Sequence, residues 1–305
     1  MTTHLRGVLG IVQVPFSPSD EIDLVSFRRE VGWAVSLGVD GLGTGMVSEI
    51  LRLTADERRE VTARLVEFMG GRRPVFAAVS SESARQAVEH ARHAESVGCA
   101  AVMAAPPTTS RLAARGLVDY YRALVESVAV PVIVQDASAY VGQAIPLSVY
   151  LDLLERYGDD RILFKPEASP VGPKLSELRD ATGGRAKIFD GSGGILLVDC
   201  YRRGIVGTMP GCEMLDGQIA LWNALHRGDE QAIYDLYLPI CAIVTLQMQA
   251  GLDGFLAVEK DLLVKRGIFA SAHRRGPNGW SLDAETAREV DRLFALLQAR
   301  IPAKG

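Results

Sequence analysis

Lys165 closes a run of three apolar residues, Ile162-Leu163-Phe164, and is followed by Pro166 and Glu167. Such a run fits a strand buried on both faces, which a proline then stops. The lysine therefore reaches the end of the strand on a dry wall, where desolvation disfavours its ammonium form. Free amine at neutral pH attacks a ketone and forms a Schiff base. The alternative is a lysine whose stem lies on the apolar rim while its head reaches water. Glu167 lies two residues on, and strand alternation points i and i+2 the same way unless Pro166 distorts it. Further candidates stand at Ser48-Glu49, Thr108-Thr109, Gln135-Asp136, Ser138, Tyr140, Asp190 and Gly211-Cys212-Glu213. Together they suit a keto acid: an amine for the ketone, amides and hydroxyls for the carboxylate, and a carboxyl group to move protons.

These groups need elements that bring them to one place, and the chain supplies a regular alternation. Short apolar runs at 9–14, 39–44, 74–79, 100–105, 130–135, 162–165, 186–190 and 204–209 read as strands. Helical patterns separate them, and Thr54-Ala-Asp-Glu57 has the spacing of a capping box. Eight such units predict an α/β chain folded as a (β/α)8 TIM barrel, whose active site lies at the C-terminal ends of the strands. A doubly wound open sheet would show G-x-G-x-x-G after the first strand. Pro15-Phe-Ser-Pro18 stands there instead, and Gly41-Leu-Gly43-Thr-Gly45 is a partial match in the wrong place. Gly191-Ser-Gly-Gly194 has no basic neighbour and reads as a tight turn. After about residue 215 only helices are predicted, at 218–227, 229–250, 259–266 and 283–300. Residues 1–217 are thus the barrel, and 218–305 a C-terminal helical appendix packed on it.

Composition sets the limits. The chain has 305 residues, 48% hydrophobic, with a net charge of -4. No Lys/Arg block marks a nucleic-acid footprint. No signal-peptide pattern opens the chain and no apolar run is read as membrane-spanning, so a cytoplasmic protein is expected. Cys99, Cys200, Cys212 and Cys241 are scattered without CxxC spacing, which predicts free thiols rather than a zinc site or disulfides. His90 and His93 are read onto the polar side of their helix, opposite an alanine-rich stripe, with no metal role.

The motifs Gly10-Ile-Val-Gln-Val-Pro-Phe16, Ser48-Glu49 with Leu53-Thr-Ala-Asp-Glu-Arg58, Ala105-Pro-Pro107, Phe164-Lys165 and Gly204-Ile-Val-Gly207 stand in order along the chain. Through them the chain resembles the dihydrodipicolinate synthase / N-acetylneuraminate lyase family of class I aldolases. It implies that Lys165 forms the Schiff base. The family's Gly-Thr-Thr-Gly-Glu reads Gly45-Met-Val-Ser-Glu49 here, and the tyrosine ending strand five is Gln135. An amide does not relay protons as a phenol does. Val134-Gln-Asp-Ala137, Phe164-Lys-Pro-Glu167 and Gly207-Thr-Met-Pro-Gly211 are similar to the 2-keto-3-deoxy sugar-acid dehydratases, in particular the L-2-keto-3-deoxyarabonate dehydratase-like branch.

The resemblance implies a lyase acting on a small 2-keto acid, with dehydration through an imine on Lys165 as the expected reaction. Glu167, ahead of Glu49, is the expected acid or base; a structural salt bridge is the other reading of each. Ser48 and the amides from Gly45 on are the expected carboxylate anchor. Thr108, Gln135 and Tyr140 would contact substrate hydroxyls, and Met209 and Gly211 complete the expected substrate site. Alternatives are a pyruvate-using aldolase or synthase, and a barrel that binds a keto acid without turning it over. No metal and no organic cofactor is expected, since the imine itself is the electron sink. A homodimer or homotetramer is implied by the resemblance.

Overall fold

A computed structural model describes residues 5–139 and 141–302. Strands and helices alternate as β1 (Gly7–Ile11), α1 (Leu24–Ser36), β2 (Gly41–Gly43), α2 (Ala55–Met69), β3 (Val75–Ala78), α3 (Ala84–Ser96), β4 (Ala101–Ala104) and α4 (Ala114–Ser127). They continue as β5 (Val132–Asp136), α5 (Leu147–Tyr157), β6 (Ile162–Pro166), α6 (Val171–Ala181), β7 (Phe189–Asp190), α7 (Leu197–Arg202), β8 (Gly207–Thr208) and α8 (Leu215–Arg227). The strands pair in parallel in the order β6-β5-β4-β3-β2-β1-β8-β7. A parallel bridge between Phe164 and Ile188, with the Phe164 N–H donating to Lys187 O at 2.9 Å, joins β6 to β7. This is the expected (β/α)8 TIM barrel.

Two apolar layers follow from strand alternation. Val132, Val134, Ile162 and Phe164 pack outward into the layer shared with the helices. Ile133 and Leu163 point inward and join Leu9, Ile11, Phe76, Met103 and Phe189 in the barrel interior. The glycines of β2 serve this interior, because a Cβ on Gly43 would collide with the Phe76 ring. The expected Thr54–Glu57 capping box opens α2: Glu57 N–H donates to Thr54 Oγ1 at 3.2 Å and Thr54 N–H to Glu57 Oε2 at 2.7 Å.

The helices beyond the barrel are α9 (Glu230–Met248), α10 (Gly251–Lys265) and α11 (Ala284–Gln298). Three sequence expectations are corrected here. Helix α10 starts at Gly251, eight residues before the expected 259. Gly251 and Gly254 resemble breakers in sequence, but a Cβ on Gly254 would strike the Gln247 carbonyl oxygen, so the glycine permits a close turn from α9. Helix α9 is long and apolar enough to cross a membrane by length and composition. It packs against α8, α10 and α11, burying Ile233, Leu236, Ile240, Ile243 and Val244. A boundary at 217 falls inside α8, which packs back on β1 as the eighth helix of the barrel.

His90 also departs from expectation. It is buried at the i+3 position from Ala87 on α3. Burial, with Arg58 and Arg59 nearby, pulls its imidazole down to about 4. Cys99, Cys200 and Cys212 are buried and Cys241 half-buried, all as free thiols.

Candidate active site

Alternation along β6 places Lys165 and Glu167 on the inward side with Leu163, and both are buried. Lys165 Nζ lies 3.3 Å from Glu167 Oε2. Pro166 does not break this geometry, since it still pairs with Asp136 of β5 and the Glu167 N–H donates to Asp136 O at 3.0 Å. Gln135 is in register with Lys165, and its Nε2 donates to Glu167 Oε2 at 2.8 Å. Burial raises the Glu167 carboxyl above the usual carboxylate range, against the opposing pull of Lys165 and Gln135. A carboxyl raised in this way can hold a proton as well as release one.

Gly191 makes room for this pair. A Cβ there would stand 2.5 Å from Glu167 Oε1 and 2.6 Å from its Cδ, and closer still to Lys165 Cε. The turn that carries Gly191 is held by Asp190, which accepts from Ser192 N–H at 3.2 Å and from Thr208 Oγ1 at 3.0 Å. Residues 191–194 are thus a turn, as expected, and one with a part in the site that the glycine run alone did not reveal.

A cavity opens over the pair at the C-terminal end of the barrel. Gly45, Gln135, Lys165, Glu167, Met209 and Gly211 line it, so the structure brings six of the predicted site residues together. Ile11, Met46, Val47, Gly191 and Gly193 complete the barrel side, while α10 contributes Leu252, Phe255 and Glu259.

Three other predicted residues lie outside that lining. Ser48 is buried in the short 3-10 turn Met46–Ser48, where its hydroxyl donates to Val12 O and accepts from the Gly45 N–H at 3.0 Å. Its hydrogen-bonding capacity shapes the turn. The Met46 and Val47 N–H groups, at the turn's open N-terminal end, precede its i+3 bonds. Glu49 has a left-handed φ of 55°, an uncommon conformation for a non-glycine residue. Its carboxylate is taken by Lys260, by Arg52 at 3.4 Å and by the Arg275 N–H at 3.1 Å. Thr108 and Thr109 both donate to Glu82 through backbone and side chain. Burial pushes Glu82 up, but those four hydrogen bonds outweigh it and bring the carboxyl down to about 2. Tyr140 lies outside the described residues.

The sequence reading missed Glu259, which faces the cavity from α10. Its Oε2 accepts from Gln13 Nε2 at 2.8 Å, and Gln13 N–H donates to Glu30 Oε1 at 3.0 Å. Glu213, in the 3-10 turn Cys212–Met214 after β8, accepts from Gln247 Nε2 at 3.0 Å. All three carboxyls are buried, and that burial raises each of them, Glu30 and Glu259 furthest. Among the described residues, no group of three or more His, Cys, Asp or Glu side chains is arranged to hold a metal ion.

Known proteins resemble this chain over most of its length. The family model described as the dihydrodipicolinate synthetase family matches residues 4–162, ending three residues before Lys165. The L-2-keto-3-deoxyarabonate dehydratase of Azospirillum brasilense is 30% identical over 284 residues, covering 90% of this chain and 89% of the relative. The 4-hydroxy-tetrahydrodipicolinate synthase of Bartonella quintana (strain Toulouse) is 26% identical, covering 80% of this chain and 84% of the relative. The crystal structure of dihydrodipicolinate synthase from Rhodopseudomonas palustris superposes with a TM-score of 0.86 at 26% identity, covering 97% of this chain and 99% of that one. The match of the family model over half of the chain, and a likeness to these relatives over most of its length, thus show that the chain belongs to the dihydrodipicolinate synthetase family of lyases.

Proposed function

We propose that this protein is a Schiff-base lyase that dehydrates a 2-keto-3-deoxy sugar acid through an imine on Lys165. The observation that carries the proposal is the buried Lys165–Glu167–Gln135 group inside one cavity. The Lys165 amine adds to the C2 ketone, water leaves, and the protonated imine acidifies the C3 proton. Glu167 is within reach of the lysine nitrogen and takes that proton. The C4 hydroxyl then departs as water. The substrate carboxylate lies against the Met46 and Val47 N–H groups, whose dipoles favour negative charge. Support for dehydration over aldol cleavage comes from Gln135, whose amide cannot take the C4 hydroxyl proton as a phenol could, and from the likeness to the Azospirillum dehydratase. The protein is expected to work in the cytoplasm as a homodimer or homotetramer.

The test is borohydride trapping followed by mass measurement, with pyruvate and with 2-keto-3-deoxy pentonates and hexonates. The parent protein is expected to gain the mass of the reduced adduct, and Lys165→Ala to gain none and to lose turnover. A keto-semialdehyde product supports dehydration; release of pyruvate assigns the aldolase alternative. Turnover by Lys165→Ala at the parental rate overturns the mechanism.

A further inference from the structure

We propose that Glu259 is the second proton-handling group of this site, protonating the leaving hydroxyl, and that Glu213 and Gln13 act as its positioning residues. This rests on the imine chemistry assigned to Lys165, and it answers a need of that chemistry. Dehydration moves two protons, one off C3 and one onto the departing oxygen. Glu167, paired with Lys165, serves the first.

The geometry singles out Glu259 for the other. It faces the cavity from α10, and its Oε2 is anchored by Gln13 Nε2 at 2.8 Å. Its second oxygen lies against Gly211, also in the cavity wall: a Cβ on Gly211 would stand 2.9 Å from Glu259 Oε1 and 3.1 Å from Gln13 Nε2, and closer still to Glu213 Oε2. Three polar atoms therefore converge on one point of the wall, which only glycine leaves open. Glu213 Oε2 and Gln13 Oε1 are buried there without a hydrogen-bond partner. An ionised carboxylate beside an unpaired carboxylate oxygen in a dry wall is costly, whereas a proton held by the Glu213–Glu259 pair relieves that cost.

The surroundings have the same effect. Glu213 faces Glu259 from the turn after β8, Glu30 from α1 and Lys260 from its own helix, with Lys165 and Glu167 on β6 across the cavity. Lys260 is engaged by Glu49 and His273 O. Burial and the two neighbouring carboxyls raise Glu259 well above the usual range, outweighing Gln13 and Lys260. The protonated form of Glu259 is thus favoured.

The step balances. The C3–H bond breaks and its proton goes to Glu167, leaving the enamine. The enamine electrons form the C3–C4 double bond as the C4–O bond breaks. The Glu259 proton moves to the departing oxygen, which leaves as water. Glu259 is left as a carboxylate and Glu167 as the acid; exchange with water on product release restores both.

The experiment compares the parent, Glu259→Gln, Glu259→Asp and Glu213→Gln for borohydride trapping with pyruvate and for dehydration of a 2-keto-3-deoxy pentonate across pH. Glu259→Gln is expected to trap pyruvate as the parent does and to lose about 100- to 10,000-fold in kcat, the usual range for a missing general acid, with KM little changed. Glu259→Asp is expected to recover part of that loss. In Glu213→Gln the neighbouring carboxylate is gone, Glu259 gives up its proton more easily, and the basic limb of the kcat profile moves to lower pH. A Glu259→Gln protein that dehydrates within twofold of the parent overturns the assignment. So does one that loses trapping and dehydration together, because Glu259 would then serve the imine or the fold. A parent that traps no keto acid overturns the Lys165 chemistry itself and is distinguished by that readout alone.

Discussion

Replacing Gly191 by alanine tests the geometry of the site directly. The added Cβ would stand 2.5 Å from Glu167 Oε1 and 2.6 Å from Glu167 Cδ. Carbon atoms in contact prefer about 3.5–4.0 Å, so the Lys165–Glu167 pair must withdraw by about 1 Å. Gly191 does not have a left-handed φ, so alanine is allowed on the backbone and the clash is the whole perturbation. Overpacking of this kind costs about 1–3 kcal/mol. A reacting group misplaced by about 1 Å loses on the order of 100-fold in rate. The assay is the rate of borohydride-dependent trapping with pyruvate, beside urea denaturation of the same samples. Gly32→Ala on α1 is the control, since nothing lies within 4 Å of its Cβ position. It should keep the parental trapping rate and gain up to about 1 kcal/mol from helix propensity. A folded Gly191→Ala protein that traps within threefold of the parent refutes the claim that Gly191 holds the pair in place.

Two further outcomes follow from buried charges elsewhere. Glu49→Gln leaves Lys260 buried without its carboxylate, and loss of one partner of a buried pair costs about 3–5 kcal/mol; chemical denaturation should show a drop of that size, and a change under 1 kcal/mol would show that the pair does not hold the turn. The contribution of two buried acids to stability should also fall with rising pH, in a window that opens at the ordinary carboxyl value of 4.5. Glu30 and Glu259 are raised furthest, so above the ordinary carboxyl value of 4.5 the folded chain holds protons that the unfolded chain has released, and their contribution is lost as pH rises through the folded values. His90, pulled down to about 4, acts in the opposite sense only below 6.5, and Lys260, pulled down to about 8, only above 8. Glu30→Gln should flatten the decline; an unfolding free energy that rises across this window contradicts the burial of those acids.

The parts of the site carried by strand alternation were legible in the residues. The step from Leu163 to Lys165 to Glu167 needs only period two, and the register of β5 on β6 adds Gln135. Residues held by contacts distant in sequence were less legible. Ser48 and Glu49 directly follow the Gly45–Val47 stretch that lines the cavity, yet their polar atoms are taken by Val12, Arg52, Lys260 and Arg275, of which only Arg52 is near in sequence. Thr108 is drawn to Glu82 in the same way. Glu259 was hidden for a different reason. Gly251 and Gly254 suggest a break, and only the packing of α9 on α10 turns them into the first turn of a helix. The signal that could have found it is the Glu259-Lys260 pair directly after the apolar run Phe255–Val258, since such charges seldom enter a core unpartnered.

The cavity is walled on one side by β6 and on the other by α10, and Lys165 and Glu259 stand 94 positions apart in the chain. During synthesis the amine-bearing strand leaves the ribosome well before the helix that roofs it. The cavity wall is therefore complete only once α10, from the last third of the polypeptide, has packed against the barrel.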